Sequence, residues 1–404
     1  MKRQDIVETA FRVWGRNFYV NTSLSDLARE LGVSKTAIYR HFRDKQALKD
    51  AMRQYFFDCY ADYIREDFHR AFAAGDNAEA LSIMIRIQTD YFARNPWALV
   101  FLLVEIYRDR EPEKMIEQFL ERGIDMQKHQ RFAVYSAGYP SLIQMIVSSF
   151  TFWVAHFHKY TGKNTGMLNE YPREDDVEGL VSFVEESITC GLGLEREKTE
   201  NLGFDALEAS AGSRDFGNIE DGGLLEAVAG AVAEAGPWNA SMDMVARRSG
   251  LSKSSLYGHF RNKQDMLRRL FMTEFTRIAK FAREGIKLSE VPEEQLYLGI
   301  FSIASYLRSR PEILIAIDWI RTRRLNLGRP ASFRILRIFE SIRIDALQGR
   351  KKAPAQTVSE WLVFLVVSIL MRRPEGMEFA DLPNESVRVL YRFIALGVEG
   401  FQIL

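Results

Sequence analysis

Two cysteines in 404 residues, Cys59 and Cys190, are too few for a disulfide framework, and their spacing suits no metal site. A reducing, cytoplasmic setting is the expectation. Neither sign of charge is in excess: 54 Lys plus Arg meet 54 Asp plus Glu. Global charge therefore selects no polyanionic partner, and any nucleic-acid surface has to come from local segregation of charge. Long apolar runs are scarce as well. The N-terminal segment is interrupted by Asp5, Glu8 and Arg12, which leaves no signal-peptide core. The one stretch to weigh as a membrane span, the 24 residues from Phe132 to Ala155, lacks Asp, Glu, Lys and Arg but is diluted by Pro140, Gln144 and four serines. A buried helix at a helix-helix interface accounts for it better, and no membrane partner is expected. Catalytic signatures are also missing. There is no phosphate-binding glycine loop, no nucleophile elbow and no metal-ligand spacing, so neither an enzyme nor a cofactor is expected. What remains is an ordinary folding composition, 47% hydrophobic and 27% charged, with enough chain for two or more domains.

The chain repeats itself. Residues 21–46, NTSLSDLARELGVSKTAIYRHFRDKQ, align without a gap on residues 239–264, NASMDMVARRSGLSKSSLYGHFRNKQ, at an offset of 218, and thirteen of these 26 positions are identical. The register extends upstream, where Ile6, Val7, Ala10, Phe11 and Trp14 fall opposite Leu224, Leu225, Val228, Ala229 and Val232. Their spacing puts each set on one face of a helix. Downstream, Tyr91 and Pro96 match Tyr306 and Pro311 at an offset of 215, so the duplication takes in the larger regions behind the motif. Apolar-periodic segments punctuated by Pro and Gly, with no sustained alternation of period two, make the chain all-α.

Within the motif, Ser23 with Asp26 three residues on has the form of a capping box, and Leu24, Leu27, Ala28 and Leu31 give a short apolar face. Gly32 supplies a tight turn, Val33 packs inward, and Ser34 caps a second short helix running to Phe42. This is helix-turn-helix geometry. Ile38 and Phe42 face the core, which leaves Lys35, Thr36, Ala37, Tyr39, Arg40 and His41 to project outward.

LARELGVSKTAIYRHFRDKQAL resembles the DNA-binding signature of the TetR family of bacterial repressors, and VARRSGLSKSSLYGHFRNKQDML resembles it again. The shared core is Tyr39, His41, Phe42 and Lys45, repeated as Tyr257, His259, Phe260 and Lys263. The resemblance is strong over about 50 residues per head and only architectural beyond. It implies two tandem units in one chain, each a three-helix head followed by a helical effector and dimerisation domain, with the two halves forming an intramolecular pseudo-dimer. The corresponding boundaries are heads at 1–50 and 219–268, helical domains at 51–194 and 269–404, and a linker at 195–218. The resemblance further implies a double-stranded DNA operator as partner, read by Lys35, Thr36, Ala37, Tyr39, Arg40 and His41 in one copy. Lys253, Ser254, Ser255, Tyr257, Gly258 and His259 are their counterparts in the other. Lys and Arg suit guanine edges or phosphates, small side chains permit close approach, and the Tyr hydroxyls and the Lys45 and Lys263 ammonium groups suit phosphate oxygens. Ser23, Ser34, Ser241 and Ser252 cap the helices, and Ser23 and Ser241 are placed to touch phosphate.

The two copies differ in charge. Residues 2–54 carry eleven Lys or Arg against six acids, net +5, whereas residues 220–272 carry seven against six, net +1, with no base between Arg214 and Arg247. The second head neutralises fewer phosphates, so the first should dominate affinity. At the reading positions Thr36, Ala37 and Arg40 face Ser254, Ser255 and Gly258, which predicts an asymmetric operator. The acidic start of the second copy also suits a protein partner, and a helical interaction protein whose second head has left DNA is the competing reading.

Signals for an effector are weaker. Tyr91 and Phe101, within a Met- and aromatic-rich stretch, serve a core equally well, and Glu105 in LLVEIY and Asp318 beside Trp319 in IAIDWI are carboxylates in apolar company. Together these five are the candidate pocket residues for a small effector of apolar or aromatic character. His156 and His158, two apart, do not share a helix face, and a helix-end role is expected for them rather than a metal. Apolar segments at 140–157 and 358–371 have amphipathic partners at 176–190 and 384–399, and the resemblance implies that these four pack together as the interface between the two halves. They would bury Phe152, Trp153, Val184, Trp361, Leu365 and Phe393. The polar, small-residue stretch 195–218 is expected to be the linker, able to reach roughly 80 Å if extended. Association of fused chains into a higher oligomer is left open.

Overall fold

The computed structural model describes residues 2–17, 23–73, 76–102, 117–125, 142–161, 174–212, 223–323, 337–347, 355–371 and 376–400. Among them there is no strand, and the all-α expectation holds. The chain divides into two compact units. One comprises Met1–Ala133 and Ser149–Glu186 with Ile403–Leu404, the other Val134–Ser148 and Ser187–Gln402. The division does not follow the repeat boundary, because the second unit takes in two segments of the first copy.

The first unit opens with α1 (Arg3–Asn17), α2 (Leu24–Glu30) and α3 (Lys35–Tyr39), followed by the long α4 (Lys45–Ala73). The repeat's apolar stripe lies inward: Ile6, Val7, Ala10 and Phe11 are buried, as are Leu24, Leu27, Ile38 and Phe42. Full burial of each large apolar side chain contributes about 1.5–3 kcal/mol. Behind the head come α5 (Asn77–Arg94) and α6 (Pro96–Phe101), the latter starting on a proline whose fixed φ and missing N–H suit a first helical turn. The helices α7 (Leu142–Thr161) and α8 (Glu174–Thr189) follow, with Leu142–Ser148 and the end of α8 from Ser187 belonging to the second unit. Aromatic contacts dominate this core, with Tyr60 against Tyr91 at 4.8 Å, Phe57 against Phe119 at 5.1 Å and Phe92 stacked on Phe150 at 5.9 Å between ring centroids. Arg94 pairs with Asp90 and reaches Glu174, and Arg86 reaches Glu185, so α5 and α8 are joined along their polar edges.

The second unit repeats the plan in α11 (Leu224–Asn239), α12 (Met242–Ser249), α13 (Lys253–His259) and α14 (Lys263–Ile286). It continues in α15 (Pro292–Arg308), α16 (Pro311–Arg323), α17 (Ala355–Leu370) and α18 (Glu385–Leu396). Helix α16 opens on Pro311 as α6 opens on Pro96, as the repeat predicts. Helix α17 is buried almost all round, which explains its unbroken apolar composition. The expected interface side chains Trp153, Val184, Trp361, Leu365 and Phe393 are buried, and Phe152 is half-buried.

Residues 195–212 of the linker stretch are not extended, and residues 213–218 lie outside the described residues. The described part forms α9 (Arg196–Glu200) and α10 (Phe204–Gly212), and Phe204, Glu208 and Ala211 turn one helical face onto α15 and α18. Phe204 meets the rings of Tyr297 at 4.7 Å and Tyr391 at 6.0 Å. Glu208, 8% exposed, accepts hydrogen bonds from Tyr297 Oη, Asn384 Nδ2 and the Arg388 guanidinium. Of the small residues read as loop formers, Ala211 packs inward while Ala209, Ser210 and Gly212 stay exposed on the far face of the helix.

Two glycines mark where the copies meet inside this unit. Gly191 follows α8 and Gly397 follows α18, with φ of +58° and +60°. A Cβ on Gly191 would lie 2.5 Å from Gly397 N and Ile394 O, and one on Gly397 would lie 2.4 Å from the Thr189 carbonyl. Leu192 N donates to Ile394 O at 2.8 Å and Leu194 N to Ala395 O at 3.0 Å. At the start of α7, Gln144 Nε2 donates to Ser368 O at 3.3 Å, and the Ser148 and Ser368 hydroxyls are 2.6 Å apart. The charge-free run weighed as a membrane span falls partly in α7, and no helix among the described residues is long and apolar enough to cross a membrane. Residues 132–141 of that run lie outside the described residues.

Candidate nucleic-acid interface

Each head presents a short helix held by its turn. Ser23 accepts from Asp26 N while Asp26 accepts from Ser23 N at 2.9 Å, a complete capping box. The Ser23 hydroxyl and amide, and then Arg29, hold the Asp26 carboxyl below its ordinary range. Gly32 and its counterpart Gly250 take the left-handed backbone of the turn, at φ +65° and +69°. Ser34 caps α3 through Ala37 N, and Ser252 caps α13 through Ser255 N. Ser241 caps α12 through Met244 N. These caps place the four serines at helix N-termini, where backbone N–H groups and the helix dipole favour an anion.

The reading helix of the first copy is shorter than expected, ending at Tyr39, although Phe42 N still bonds Ile38 O at 3.0 Å. Ile38 and Phe42 are buried; Lys35, Thr36, Tyr39, Arg40 and His41 are exposed, and Ala37 and Val33 are half-covered. In the second copy Leu256 and Phe260 are buried, and Lys253, Ser254, Ser255, Tyr257, Gly258 and His259 are exposed. Each set of candidate readers therefore lies on one solvent-facing surface. Lys45 and Lys263 stand half-buried at the starts of α4 and α14, and burial pushes the Lys263 ammonium below its ordinary range. Each long helix is capped by the residue just before it, with Asp44 accepting from Ala47 N and Asn262 accepting from Asp265 N.

The charges on the two surfaces are differently engaged. Lys35 lies over the Tyr39 ring, 5.7 Å from its centroid, and Arg3 covers Phe42 at 4.8 Å. In the second head Lys253 Nζ is 3.0 Å from Asp243 Oδ2, Arg248 pairs with Glu234, and Arg268 and Arg269 both reach Asp265. The Asp243 hydrogen bond holds the Lys253 ammonium above its ordinary range. Sequence reasoning passed over these partners because Lys253 and Asp243 are ten residues apart and meet only across the turn.

Each head is also joined to the helices behind it. Phe101 of α6 sits 5.0 Å from the Phe11 ring and 5.7 Å from Phe56, so it belongs to the seam between head and body. Tyr91 is buried among Tyr60, Tyr63 and Phe92. The second joint is ionic. Arg310, at the start of α16, lies 3.5 Å from Glu226 of α11 and 3.7 Å from Glu274 of α14. Glu274, 1% exposed, also accepts from Tyr306 Oη and Arg277 Nη1 at 2.6 Å each. Asp318 is half-buried on α16, while Glu105 and the Trp319 side chain lie outside the described residues. His158 Nε2 is 2.9 Å from Phe92 O and His156 stacks on Phe152; no metal-binding cluster occurs among the described residues.

A capped helix, a glycine turn and a second helix with an exposed basic and aromatic face, twice in one chain, define helix-turn-helix DNA-binding domains. The family model for bacterial regulatory proteins of the tetR family matches residues 6–52 and again residues 224–270. The chain thus carries two tetR-family heads in tandem. It is similar to two HTH-type transcriptional regulators of Bacillus subtilis (strain 168). The alignment to YerO is 27% identical over 104 residues, 26% of this chain and 36% of that protein, and the alignment to YuxN is 37% identical over 57 residues, 14% and 20%. The alignments thus span about a third and a fifth of those relatives' length. Among solved structures, the regulator FadR from Bacillus subtilis in complex with stearoyl-CoA is 21% identical over 42% of this chain and 95% of that one, with a TM-score of 0.35. PfmR from Thermus thermophilus, a TetR family regulator, is 20% identical over 43% and 96%, with a TM-score of 0.31.

Proposed function

We propose that this chain is a sequence-specific DNA-binding transcription regulator, a ligand-responsive repressor that reads an asymmetric operator as a single-chain pseudo-dimer. The observation that carries the reading is the pair of exposed reading helices, α3 and α13, each on a family-matched head. The reciprocal seat of Gly191 and Gly397 supports the pseudo-dimer, since each lies against the backbone flanking the other in the manner of a two-fold contact. Fusion makes that association intramolecular and removes its dependence on concentration. The chain works by binding rather than catalysis, in the cytoplasm, and needs no cofactor.

Control would be mechanical. A small apolar or aromatic effector binding behind either head would move α6 or α16, whose contacts with Phe11 and Glu226 reach the first helix of each head. The reading helices would then leave the separation of about 34 Å that adjacent major-groove turns require. Selection from random duplex DNA, followed by anisotropy titration and a sizing measurement on the same sample, tests the reading. An asymmetric site bound by one chain is the expected result. A perfect palindrome bound by two chains would leave only the first head on DNA, and no specific site would favour a protein partner instead.

A further inference from the structure

We propose that Asp243 determines how the second head reads DNA: it masks Lys253 and turns the second half-site into the weaker, less salt-sensitive one. The inference rests on the DNA-binding reading above and adds a residue to it.

Lys253 is the first residue of α13, and the N-terminal residues of a recognition helix are those that meet base edges and flanking phosphates. Its ammonium is held by the Asp243 carboxylate at 3.0 Å, with both side chains about half exposed. Asp243 sits in the first turn of α12, just past the Ser241 cap, so the carboxylate stands at the same edge of the head as the lysine. In the first copy the equivalent lysine, Lys35, lies over Tyr39, and no carboxylate is within ion-pairing distance of it among the described residues. The ring equivalent to Tyr39 is present in the second copy as Tyr257, 52% exposed. What differs is position 243, which is Ser25 at the offset of 218. One substitution separates a lysine available to the duplex from one occupied by an acid.

The consequence follows from counterion release. A cation that neutralises a phosphate adds about 0.9 to the salt slope of binding, whereas a cation already neutralised within the protein adds little. Docking the second head as it stands requires the pair to open and leaves Asp243 facing the phosphates, where like charges repel. Serine at the same place carries no charge and suits a helix N-terminus.

The test uses the full chain and two probes, a random-sequence duplex of about 30 base pairs and the site recovered by selection with the unaltered chain, titrated by anisotropy at several salt concentrations. D243S is expected to tighten binding to both roughly 3- to 10-fold near 100 mM salt and to steepen the slope by about one phosphate's worth. S25D is expected to weaken binding by a similar factor. In a K253A background D243S should give no gain, because the effect runs through the lysine. An equal gain with and without Lys253 would overturn the mask in favour of bulk charge, and an unchanged affinity and slope for D243S would overturn it outright. If the unaltered chain and D243S both fail to bind either duplex, the DNA reading falls and the mask with it.

Discussion

The two heads share a backbone plan and differ in what occupies their charged side chains. In the first, Lys35 and Arg3 lie on aromatic rings while Arg29 pairs with Asp26 and Arg43 with Asp44; in the second, Lys253, Arg248, Arg268 and Arg269 are each held by an acid, and Arg269 also lies over Phe260. The joints behind them differ in the same sense, aromatic at Phe11, Phe56 and Phe101 and ionic at Glu226, Arg310 and Glu274. The first head carries eleven Lys or Arg and the second seven against the same six acids, and the lysine that opens the reading helix meets a ring in one copy and a carboxylate in the other. Exposed pairs such as Lys253 with Asp243 add only about 0–1 kcal/mol to folding, so their effect falls on what the head binds rather than on its stability.

The largest effect expected from this contrast lies at the joints. Glu274→Leu removes the buried carboxylate that accepts from Tyr306 and Arg277 and is one of two beside Arg310, and should cost about 3–5 kcal/mol in urea unfolding. Phe101→Leu keeps an apolar side chain of comparable bulk and should cost about 1.5 kcal/mol or less. Equal losses would break the contrast. Next comes the reading helix. Arg40→Gly makes the first head resemble the second at that position and should lose about 1–3 kcal/mol of base discrimination at one half-site in competition titrations, whereas Gly258→Arg should add a preference at the other. At the helix starts, Lys45→Ala should lower the salt slope by about 0.9, and Lys263→Ala by less, because the second head, with seven Lys or Arg against the first head's eleven, docks the more weakly. The smallest effect is a pH dependence confined to the second unit. Burial pushes the Glu208 carboxyl up, but hydrogen bonds from Arg388, Tyr297 and Asn384 outweigh it and leave the folded group below its ordinary range. A carboxylate so lowered stabilises the fold above that range and loses the contribution as pH falls through the folded value. Thermal unfolding from neutral pH into acid should therefore flatten in Glu208→Gln.

Much of this was legible in the residues. Ser23 and Asp26, Gly32, Ser34 and the Ile38–Phe42 spacing specify a local structure whose hydrogen bonds lie within a few residues, and the heads fold as they predict. The apolar helices α7 and α17 were also legible, since Gln144, Ser148 and Ser149 in α7 favour a helix buried in protein over one in a membrane. The α10 helix was missed because Ala209, Ser210 and Gly212 carry the composition of a loop, while its helical face, Phe204, Glu208 and Ala211, is specified by distant partners, Tyr297 and Arg388. The joint between Glu226, Arg310 and Glu274 spans 84 residues of chain, and no spacing rule reaches that far. Tyr91 and Phe101 show the converse ambiguity. An aromatic at helical spacing reads alike as pocket wall or as core, and only its neighbours decide.

The α10 helix also bears on the history of such a chain. When two copies are first joined, whatever lies between them is expendable, and cutting there returns two working halves. Once Phe204 and Glu208 have settled against Tyr297, Asn384 and Arg388, the spacer is part of one product, and a chain begun after it would uncover the Tyr297 and Tyr391 rings and take the Asp205 and Glu208 carboxylates from Arg388. From then on the fusion can be lengthened or diversified, but it cannot be undone at the seam where it was made.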